Sequence, residues 1–466
     1  MIDGLKHYEA YQVSGDPWLG VVPSHWSLRR LWTQSALRAE RNPGGLQLLS
    51  VFLDRGVIPY SEGGGQVHAP SEDLSNYQVV RSGDFVLNNQ QAWRGSVGVS
   101  QYDGIISPAY IVLRLSTQLD SGYANWLFRC PRLVDQFVAA SKGVGDIQRQ
   151  MFWPFLRRVL VPVPSTEEQH AIVRFLANAN HRIERYIRGK RKLIALLNEQ
   201  KQVIIHRAVT RGVDQSVPLK PSGVAWLGDI PAHWDVRPLK QLLLRMDYGT
   251  SESARGEGRI RVLTMGHIKD GKVIPPANGT LNAIPPGLLL ARDDLLFNRT
   301  NSPDLVGKVG LFAGDASDEI TFASYLVRLR VRPEHQPKWL NYLLNSARFW
   351  AFARSQALVS LHQANLNSTR YARMALPIPG SREEQDKIVS HITGHCLGIE
   401  AAMERARSEI ALMCEYRTRL VTDVVTGQLD VRDAARRLPA QVLGAVATED
   451  QDEALEDDDA EEEAVA

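Results

Sequence analysis

Cysteine is scarce in this sequence, and its three cysteines lie far apart. Cys130, Cys396 and Cys414 form no C-x-x-C pair. This spacing excludes a disulfide framework and a cysteine-based zinc site, and it favours a reducing cytoplasm. No apolar run reaches the roughly 18 residues that a membrane span needs, and the first residues lack the basic and apolar regions of a signal peptide. The sequence therefore predicts a cytoplasmic protein without a membrane partner.

Net charge is nearly absent from the chain as a whole, but the charges are unevenly distributed. The 466 residues contain 54 Lys and Arg against 52 Asp and Glu, a net charge of +2. Residues 449–466 hold 11 of the acidic side chains and no basic one, which leaves an excess of 13 positive charges on the rest. A basic body is compatible with a polyanionic partner. An acidic segment of this composition is typical of a solvated, disordered tail.

Sequence motifs for catalysis and for nucleotide binding are also missing. There is no G-x-x-x-x-G-K-[ST] loop, no glycine-rich strand-to-helix turn and no [ND]-P-P-[YF] box. Pro303-Asp304 could begin a nuclease-like acidic pair, but no Glu-x-Lys follows it, so a turn is the better interpretation. The sequence predicts no catalytic residue, no metal site and no cofactor site in this chain.

The chain does contain an internal repeat. The segment WLGVVPSHW at Trp18–Trp26 recurs as WLGDIPAHW at Trp226–Trp234. A Pro-x-Pro…Glu-Glu-Gln segment at Val161–Val173 recurs at Leu376–Val389, and Glu167–Asp214 then aligns with Glu383–Asp430 without a gap. A simple duplication explains this shared frame, but it does not explain why the residues between the anchors diverge.

Each repeat begins with a region typical of an α/β domain of about 160 residues. Residues 1–164 and 215–379 are rich in Gly, Pro and short apolar runs, which predict strands. The clearest predicted strands are residues 84–88, 110–115, 157–164, 294–298 and 325–331. Short helices are expected near 123–140 and 337–356.

Each repeat ends with a predicted long helix, within residues 165–214 and 380–430. Residues 166–211 contain no proline, and the first turn carries Glu167 and Glu168, which the helix dipole favours. A helix of about 40 residues is about 60 Å long, and its apolar stripe needs a partner. We expect the two helices to form an antiparallel coiled coil that separates the domains with pseudo-two-fold symmetry. Its expected seam is Ile172, Leu176, Ile183, Leu193, Leu197 and Ile204, facing Ile388, Ile392, Ile399, Met413 and Leu420.

Amide-rich and basic loops occupy matching places in the two repeats. Each domain has one such loop after a predicted strand and another shortly before the long helix. Asn and Gln can bond bidentately to adenine and Arg to guanine, so these loops are candidates for DNA contact. Asn, Gln and Gly are also ordinary loop residues, and that interpretation stays open. The candidates are Asn88, Asn89, Gln90, Gln91, Arg94, Lys142, Gln148 and Arg149, and then Asn298, Arg299, Thr300, Asn301, Gln363, Asn365, Asn367 and Arg370.

The repeated S-G-x-x-W-L-G-x-[IV]-P-x-H-W and P-[VI]-P…E-E-Q-x-x-I-V motifs, with VTRGVD (209–214) and VTGQLD (425–430), resemble the specificity subunit of type I restriction-modification systems. The resemblance covers residues 1 to about 430. It implies that 1–164 and 215–379 are target recognition domains, each reading half of a bipartite DNA sequence. The helices would be conserved spacers that fix the gap. Residues 431–466 match no part of the pattern and are expected to be a disordered acidic tail.

The resemblance also implies partners. Two methylation subunits would dock on the spacer helices, supply S-adenosylmethionine and methylate adenine N6. Restriction subunits would supply translocation and cleavage driven by ATP and Mg²⁺.

Two other classes of protein remain open from the sequence. One is a coiled-coil scaffold that binds no nucleic acid, and the other is an autonomous DNA-acting enzyme with unrecognised motifs.

Overall fold

The structure, a computed structural model, describes residues 5–53, 55–63, 70–144, 148–252, 257–360 and 363–439. The chain divides into two compact units. Unit 1 comprises Met1–Gly189 and Ser408–Ala466, and unit 2 comprises Lys190–Arg407. Among the helices of the described ranges, none combines the length and the hydropathy that crossing a bilayer requires.

Unit 1 contains fourteen of the described strands and the short helices between them. The strands are β1 (Tyr11–Val13), β2 (Val21–Pro23), β3 (Ser27–Arg30), β4 (Ser35–Leu37), β5 (Leu49–Phe52), β6 (Gly56–Pro59), β7 (Gln78–Val80), β8 (Asp84–Asn88), β9 (Val97–Val99), β10 (Gly104–Ile106), β11 (Tyr110–Leu115), β12 (Ser141–Val144), β13 (Gln148–Met151) and β14 (Leu160–Val163). The helices are α1 (Leu31–Gln34), α2 (Ser121–Phe128), α3 (Pro131–Ala139), α4 (Trp153–Leu156) and the start of α5 (Thr166–Arg211).

The central sheet of unit 1 has the strand order β4-β11-β8-β9, with antiparallel neighbours. Alternate apolar side chains of these strands enter the main core together with α2 and α3, where Phe85 stacks on Phe128. The smaller sheets pair β1 with β2, β3 with β14, β5 with β6, β7 with β10 and β12 with β13.

Unit 2 repeats most of this order. Its strands are β15 (Leu219–Pro221), β16 (Asp229–Pro231), β17 (Asp235–Pro238), β18 (Leu243–Tyr248), β19 (Arg261–Leu263), β20 (Ile268–Lys269), β21 (Lys272–Val273), β22 (Leu295–Asn298), β23 (Thr300–Asn301), β24 (Val309–Leu311), β25 (Ile320–Phe322), β26 (Leu326–Val331), β27 (Leu358–Ser360), β28 (Gln363–Asn365) and β29 (Ala375–Ile378). Its helices are α6 (Pro337–Leu344), α7 (Ala347–Ser355), α8 (Ser368–Ala372) and the start of α9 (Arg382–Val425).

The sheets of the two units correspond, and the differences are local. The order β18-β26-β22-β24 matches β4-β11-β8-β9, and β21-β20 extend it in unit 2. The pair β17-β29 matches β3-β14, and β27-β28 matches β12-β13 with β23 added at the edge. The predicted strands at 84–88, 110–115, 294–298 and 325–331 are present, as are both pairs of short helices. The predicted fold class, two repeated α/β domains with two long helices, is confirmed.

The two long helices pair antiparallel within each unit. In unit 1, Glu184 lies 3.8 Å from Arg417 and Tyr186 donates to Glu409 at 2.7 Å. The later residue of α5 contacts the earlier residue of α9, so the two helices run in opposite directions. In unit 2, Lys201 lies 2.6 Å from Glu400. The predicted pairing of the helices is therefore present in both units.

The seam of the pair differs from the predicted heptad after Ile183. Ile172, Leu176, Ile183, Ile388, Ile392 and Leu420 are buried as expected, and Leu197, Ile204, Ile399 and Met413 are half-buried. Leu193 is 40% exposed, so its placement in the seam was wrong. The predicted heptad continues three residues after Ile183, but the next buried residue is Ile187, four residues after it. This shift of one residue moves the seam from Leu193 to Ile194.

The repeated Trp-to-Trp motif anchors the ends of the long helices. The indole of Trp26 donates to Glu168 in the first turn of α5, and it lies against Gly427 just after α9. In unit 2 the indole of Trp234 donates to Glu384 in the first turn of α9 and lies against Gly212 just after α5. Each tryptophan thus joins the start of one long helix to the end of the other, which gives the repeated motif a structural role.

The chain stays folded beyond the predicted start of the tail at residue 431. Residues Arg432–Arg436 form α10, and Val431 and Ala435 are fully buried in the unit 1 core. Apolar side chains at these two positions explain the difference from the sequence prediction. The acidic segment 449–466 lies outside the described residues.

Candidate nucleic-acid interface

The predicted loops of unit 1 meet on one surface. Asn88 ends β8, and residues 89–91 turn into a short 3-10 helix at Ala92–Arg94. The carbonyl of Asn89 accepts from the Met151 amide at 2.9 Å, which fixes this turn against the β12-β13 hairpin. We call residues 88–94, 141–144 and 148–155 the loop surface of unit 1.

Aromatic rings organise the cations of this surface. The guanidinium carbons of Arg94 and Arg149 lie 4.7 and 5.5 Å from the centre of the Trp93 ring. Lys142 Nζ lies 4.8 Å from the Phe152 ring and 4.9 Å from the Phe155 ring. Phe152 and Phe155 are 44% and 37% exposed, and their ring centres lie 5.5 Å apart. Cations that lie against aromatic rings at the surface are suited to contact the phosphates of DNA and the edges of its bases.

The individual amides of unit 1 differ in what they can contact. The Asn88 side chain accepts from the Gln90 amide at 3.0 Å, so it shapes the turn. Gln90 and Arg94 are exposed, whereas Gln91 is half-buried and Asn89 has a buried, unpaired Oδ1. Gln148 lies in β13, and its side chain falls outside the described residues. Gln90 and Arg94, together with Lys142, are therefore the predicted residues of unit 1 that are most open to a ligand.

The corresponding segments of unit 2 also meet. Strand β23 pairs with β28, and Asn365 donates to Thr300 Oγ1 at 3.1 Å. The Arg299 guanidinium lies 5.2 Å from the ring of Tyr248, which is 51% exposed. Asn301 accepts from the Ser302 amide at 2.8 Å. We call residues 299–302, 358–360 and 363–370 the loop surface of unit 2.

Two predicted residues of unit 2 are not free to contact a ligand as predicted, because one is buried and the other caps a helix. Asn298 is only 1% exposed, because all four residues of β22 face buried surroundings, so it does not reach the loop surface. Asn367 caps α8 by accepting from the amides of Thr369 and Arg370 at 2.9 and 3.1 Å. Gln363 and Arg370 are exposed on the loop surface, and Arg370 donates to the Gln356 carbonyl at 3.1 Å.

Sequence reasoning missed the aromatic partners of these cations. Phe152, Phe155 and Tyr248 were not predicted as site residues, although the run RQMFWPFLRR at 149–158 interleaves aromatic with basic residues. It also missed the pair His391 and His395, four residues apart on α9 with ring centres 4.3 Å apart. Within the described residues, no third His, Cys, Asp or Glu joins them to complete a metal site.

Comparisons with known proteins agree with the motif resemblance. No family model matches the chain. The chain is 21% identical over 367 residues to the type I restriction enzyme MjaVIII specificity subunit of Methanocaldococcus jannaschii, covering 76% of this chain and 81% of that protein. A solved structure concerned with complex assembly and conformational transition of the type I R-M system superposes with a TM-score of 0.57 at 17% identity, over 87% of this chain and 98% of that one. The resemblance to type I specificity subunits is confirmed, and the structural match supports the fold.

Proposed function

We propose that the chain is the sequence-specific DNA-binding subunit of a type I restriction-modification complex. The observation that supports this proposal is the repeated loop surface. In each unit, the segment after a core strand meets a hairpin, and the two carry amide side chains and a cation that lies against an aromatic ring. Each loop surface would recognise one half of a bipartite target, with a fixed non-specific gap between the halves.

The chemistry of the loop surfaces suits double-stranded DNA. Arg94 would donate to guanine, Gln90 would bond an adenine edge and Lys142 would contact phosphate. In unit 2, Arg299 and Arg370 would contact guanine or phosphate, and Gln363 would bond an adenine edge. One domain that discriminates by about 1–3 kcal/mol per base pair has modest specificity alone, and two domains on one chain multiply it. Divergent loop residues in the two units would then follow from two different half-sites.

We propose that the chain is not catalytic and holds no cofactor. Two methylation subunits would bring S-adenosylmethionine and transfer the methyl group to adenine N6, and restriction subunits would use ATP and Mg²⁺. The complex would act in the cytoplasm. The role of this chain would be to place those partners on the DNA.

Exposed apolar residues on the long helices support partner docking. Leu193, Leu196 and Val203 are 40, 54 and 60% exposed on α5. Spacings of three and seven residues place them on one helix face, as in a helix that docks against another protein. The double variant Leu196→Glu/Val203→Glu should therefore lose co-purification with the methylation subunits. Its unfolding midpoint should stay unchanged, because these side chains do not enter a core.

Substitutions in the loop surface test the DNA-binding proposal. In the complex with methylation subunits, Gln90→Ala and Arg94→Ala should each weaken binding to the cognate duplex by about 1–3 kcal/mol and relax base preference in one half-site. Arg81→Ala is the matched control, since Arg81 precedes the opposite end of β8 and pairs with Asp103. Fluorescence titration with duplexes altered at single positions measures both effects.

The two open alternatives predict different results. A scaffold that binds no nucleic acid would leave the reconstituted complex without duplex affinity. An autonomous enzyme would cut or methylate DNA as the isolated chain. Either result would reject the proposed function.

A further inference from the structure

A group of four arginines and one tryptophan lies at one end of the β3-β14 pair in unit 1. Arg29 and Arg30 end β3, opposite Val161 and Leu160. The pairing continues beyond the strands, because the Trp32 amide donates to the Arg157 carbonyl at 3.2 Å and the Arg30 guanidinium donates to the Arg158 carbonyl at 3.0 Å. We call Arg29, Arg30, Trp32, Arg157 and Arg158 the basic edge.

The basic edge carries uncompensated positive charge. All five side chains are exposed, with Trp32 at 50%, and the Arg157 guanidinium lies 5.9 Å from the Trp32 ring. None of the four arginines forms an ion pair with a carboxylate within the described residues. The segments 27–38 and 148–166, which supply the edge, contain no Asp or Glu. Four cations without counter-charges attract a polyanion.

The edge is held rigidly by the core behind it. Leu31, which lies between Arg30 and Trp32, and Val161, which pairs with Arg29, are fully buried. The Gln136 side chain bonds both the amide and the carbonyl of Leu160. Fixed backbone positions reduce the entropy that the arginines lose on binding.

The edge also continues into the loop surface of unit 1. Helix α4 connects the two, and the Arg158 amide donates to the Phe155 carbonyl at 2.9 Å. Phe155 in turn lies under Lys142 on the loop surface. A ligand that occupies the loop surface is therefore near the arginines.

Unit 2 has a weaker counterpart of this edge. The Leu239 amide donates to the Met374 carbonyl, and the Leu31 amide of unit 1 donates to the Val159 carbonyl in the same way. Leu239 therefore corresponds to Leu31, and Met374 corresponds to Val159. Pro238 and Ala372 stand where unit 1 has Arg30 and Arg157, and Arg237 is paired with Asp235 at 2.6 Å. The charge at the edge is thus a property of unit 1.

We infer that the basic edge binds backbone phosphates of the duplex next to the bases that the loop surface of unit 1 recognises. This inference rests on the proposed function. Guanidinium groups bind phosphate oxygens in bidentate fashion, and phosphate contacts position a protein on DNA without reading its sequence. The two halves of the target would then be held with different strength, with more salt-sensitive binding at the half that unit 1 recognises.

The test compares charge-removing and charge-keeping variants in the complex with methylation subunits. The probes are a fluorescent duplex that carries the target and an unrelated duplex of equal length. Replacing all four arginines of the edge by Ala should lower the slope of log affinity against log salt by about 3 to 4. Both duplexes should lose affinity by about the same factor, at least about tenfold at low salt. The fourfold Arg→Lys variant should keep most of the slope, and Arg237→Ala/Arg373→Ala should change it by about 1 or less, since Arg237 is already paired.

Three results would overturn the inference while leaving the proposed function intact. An unchanged salt slope in the fourfold Ala variant would show that the edge does not contact phosphate. A selective loss on the target duplex would show that the edge recognises bases. Loss of the methylation subunits with an unchanged slope would make it a protein-docking surface. If the wild-type complex binds neither duplex, the proposed function itself fails.

Discussion

Glu168 shows how a single side chain joins a repeated domain to a long helix. Glu168 is 3% exposed and accepts from the Tyr8 hydroxyl at 2.7 Å, the Trp26 indole at 3.1 Å and His25 at 2.9 Å. Burial and the bond to Glu168 raise the pKa of Tyr8 well above its usual range, so its hydroxyl stays a donor. The helix dipole at the start of α5 also favours a carboxylate here.

Removing the Glu168 carboxylate should destabilise unit 1. Glu168→Ala leaves two buried donors without an acceptor, at a cost of about 2–4 kcal/mol. Glu167→Ala is the matched control, because Glu167 occupies the same helical turn and is exposed. Denaturant unfolding of the two variants measures the difference. Equal stability of the two would mean that the buried carboxylate does not anchor α5.

The loop residues could be located from the sequence but their roles could not. Gln90 and Asn298 both lie in amide-rich runs where a predicted strand ends. Gln90 is exposed in the turn after β8, whereas Asn298 is buried as the last residue of β22. Asn367 matches a DNA-contacting residue in type but serves as a helix cap. Partners brought together by tertiary structure, such as Tyr248 and Arg299, leave no local pattern.

The glycines after the long helices act at the level of the element. Gly212 and Gly427 have φ angles of +74° and +75°, which end the helices in the left-handed region. A Cβ on Gly427 would lie 3.1 Å from the Trp26 ring and closer still to Pro23, whereas one on Gly212 would lie 3.4 Å from the Trp234 ring.

Alanine at these two positions should therefore have unequal effects. Both variants carry about 1–2 kcal/mol of left-handed strain, and Gly427→Ala should cost about 1–3 kcal/mol more from overpacking. Gly223→Ala, at φ +73° with open space around it, measures the strain alone. Thermal unfolding that ranked Gly427→Ala equal to Gly223→Ala would contradict this account.

The helix boundaries were predictable, whereas the seam register was not. Charged caps, an absence of proline and a glycine at the end define α5 from the sequence. The heptad predicted Leu193 in the seam, but Ile183 and Ile187 are both buried, and this four-residue step is decided by packing against α9.

Lengthening both long helices by one turn tests whether they set the gap in the target. Four residues are inserted after Gly189 in α5 and four after Arg407 in α9. Because the helices are antiparallel, both insertions fall between the pair Glu184–Arg417 and the pair Lys201–Glu400, and both pairs are preserved. Each insertion adds about 6 Å of helix. The recognised site should gain one or two base pairs of gap, with both half-site sequences unchanged. Insertion in α5 alone should instead destabilise the pair, and methylation mapping of the variants would reveal either outcome.

At the level of the whole molecule, the two repeats share the contacts that anchor the long helices and differ in their loop surfaces. The helix anchors at Trp26 and Trp234 are common to both units, while the loop surfaces differ in residues and in local strands. Replacing residues 27–160 by the matching segment of a related chain should therefore change one half of the target and leave the gap unchanged. A change in both halves would show that the two units recognise the site jointly.

The most direct test of the central claim is to map methylated adenines in DNA from cells that express this chain with its methylation subunit. The account predicts one bipartite motif with adenine methylated in both halves and a fixed gap, and an altered base preference in one half when Arg94 is replaced by alanine. Methylation by the isolated chain, or a motif that does not change with the loop surface, would contradict it.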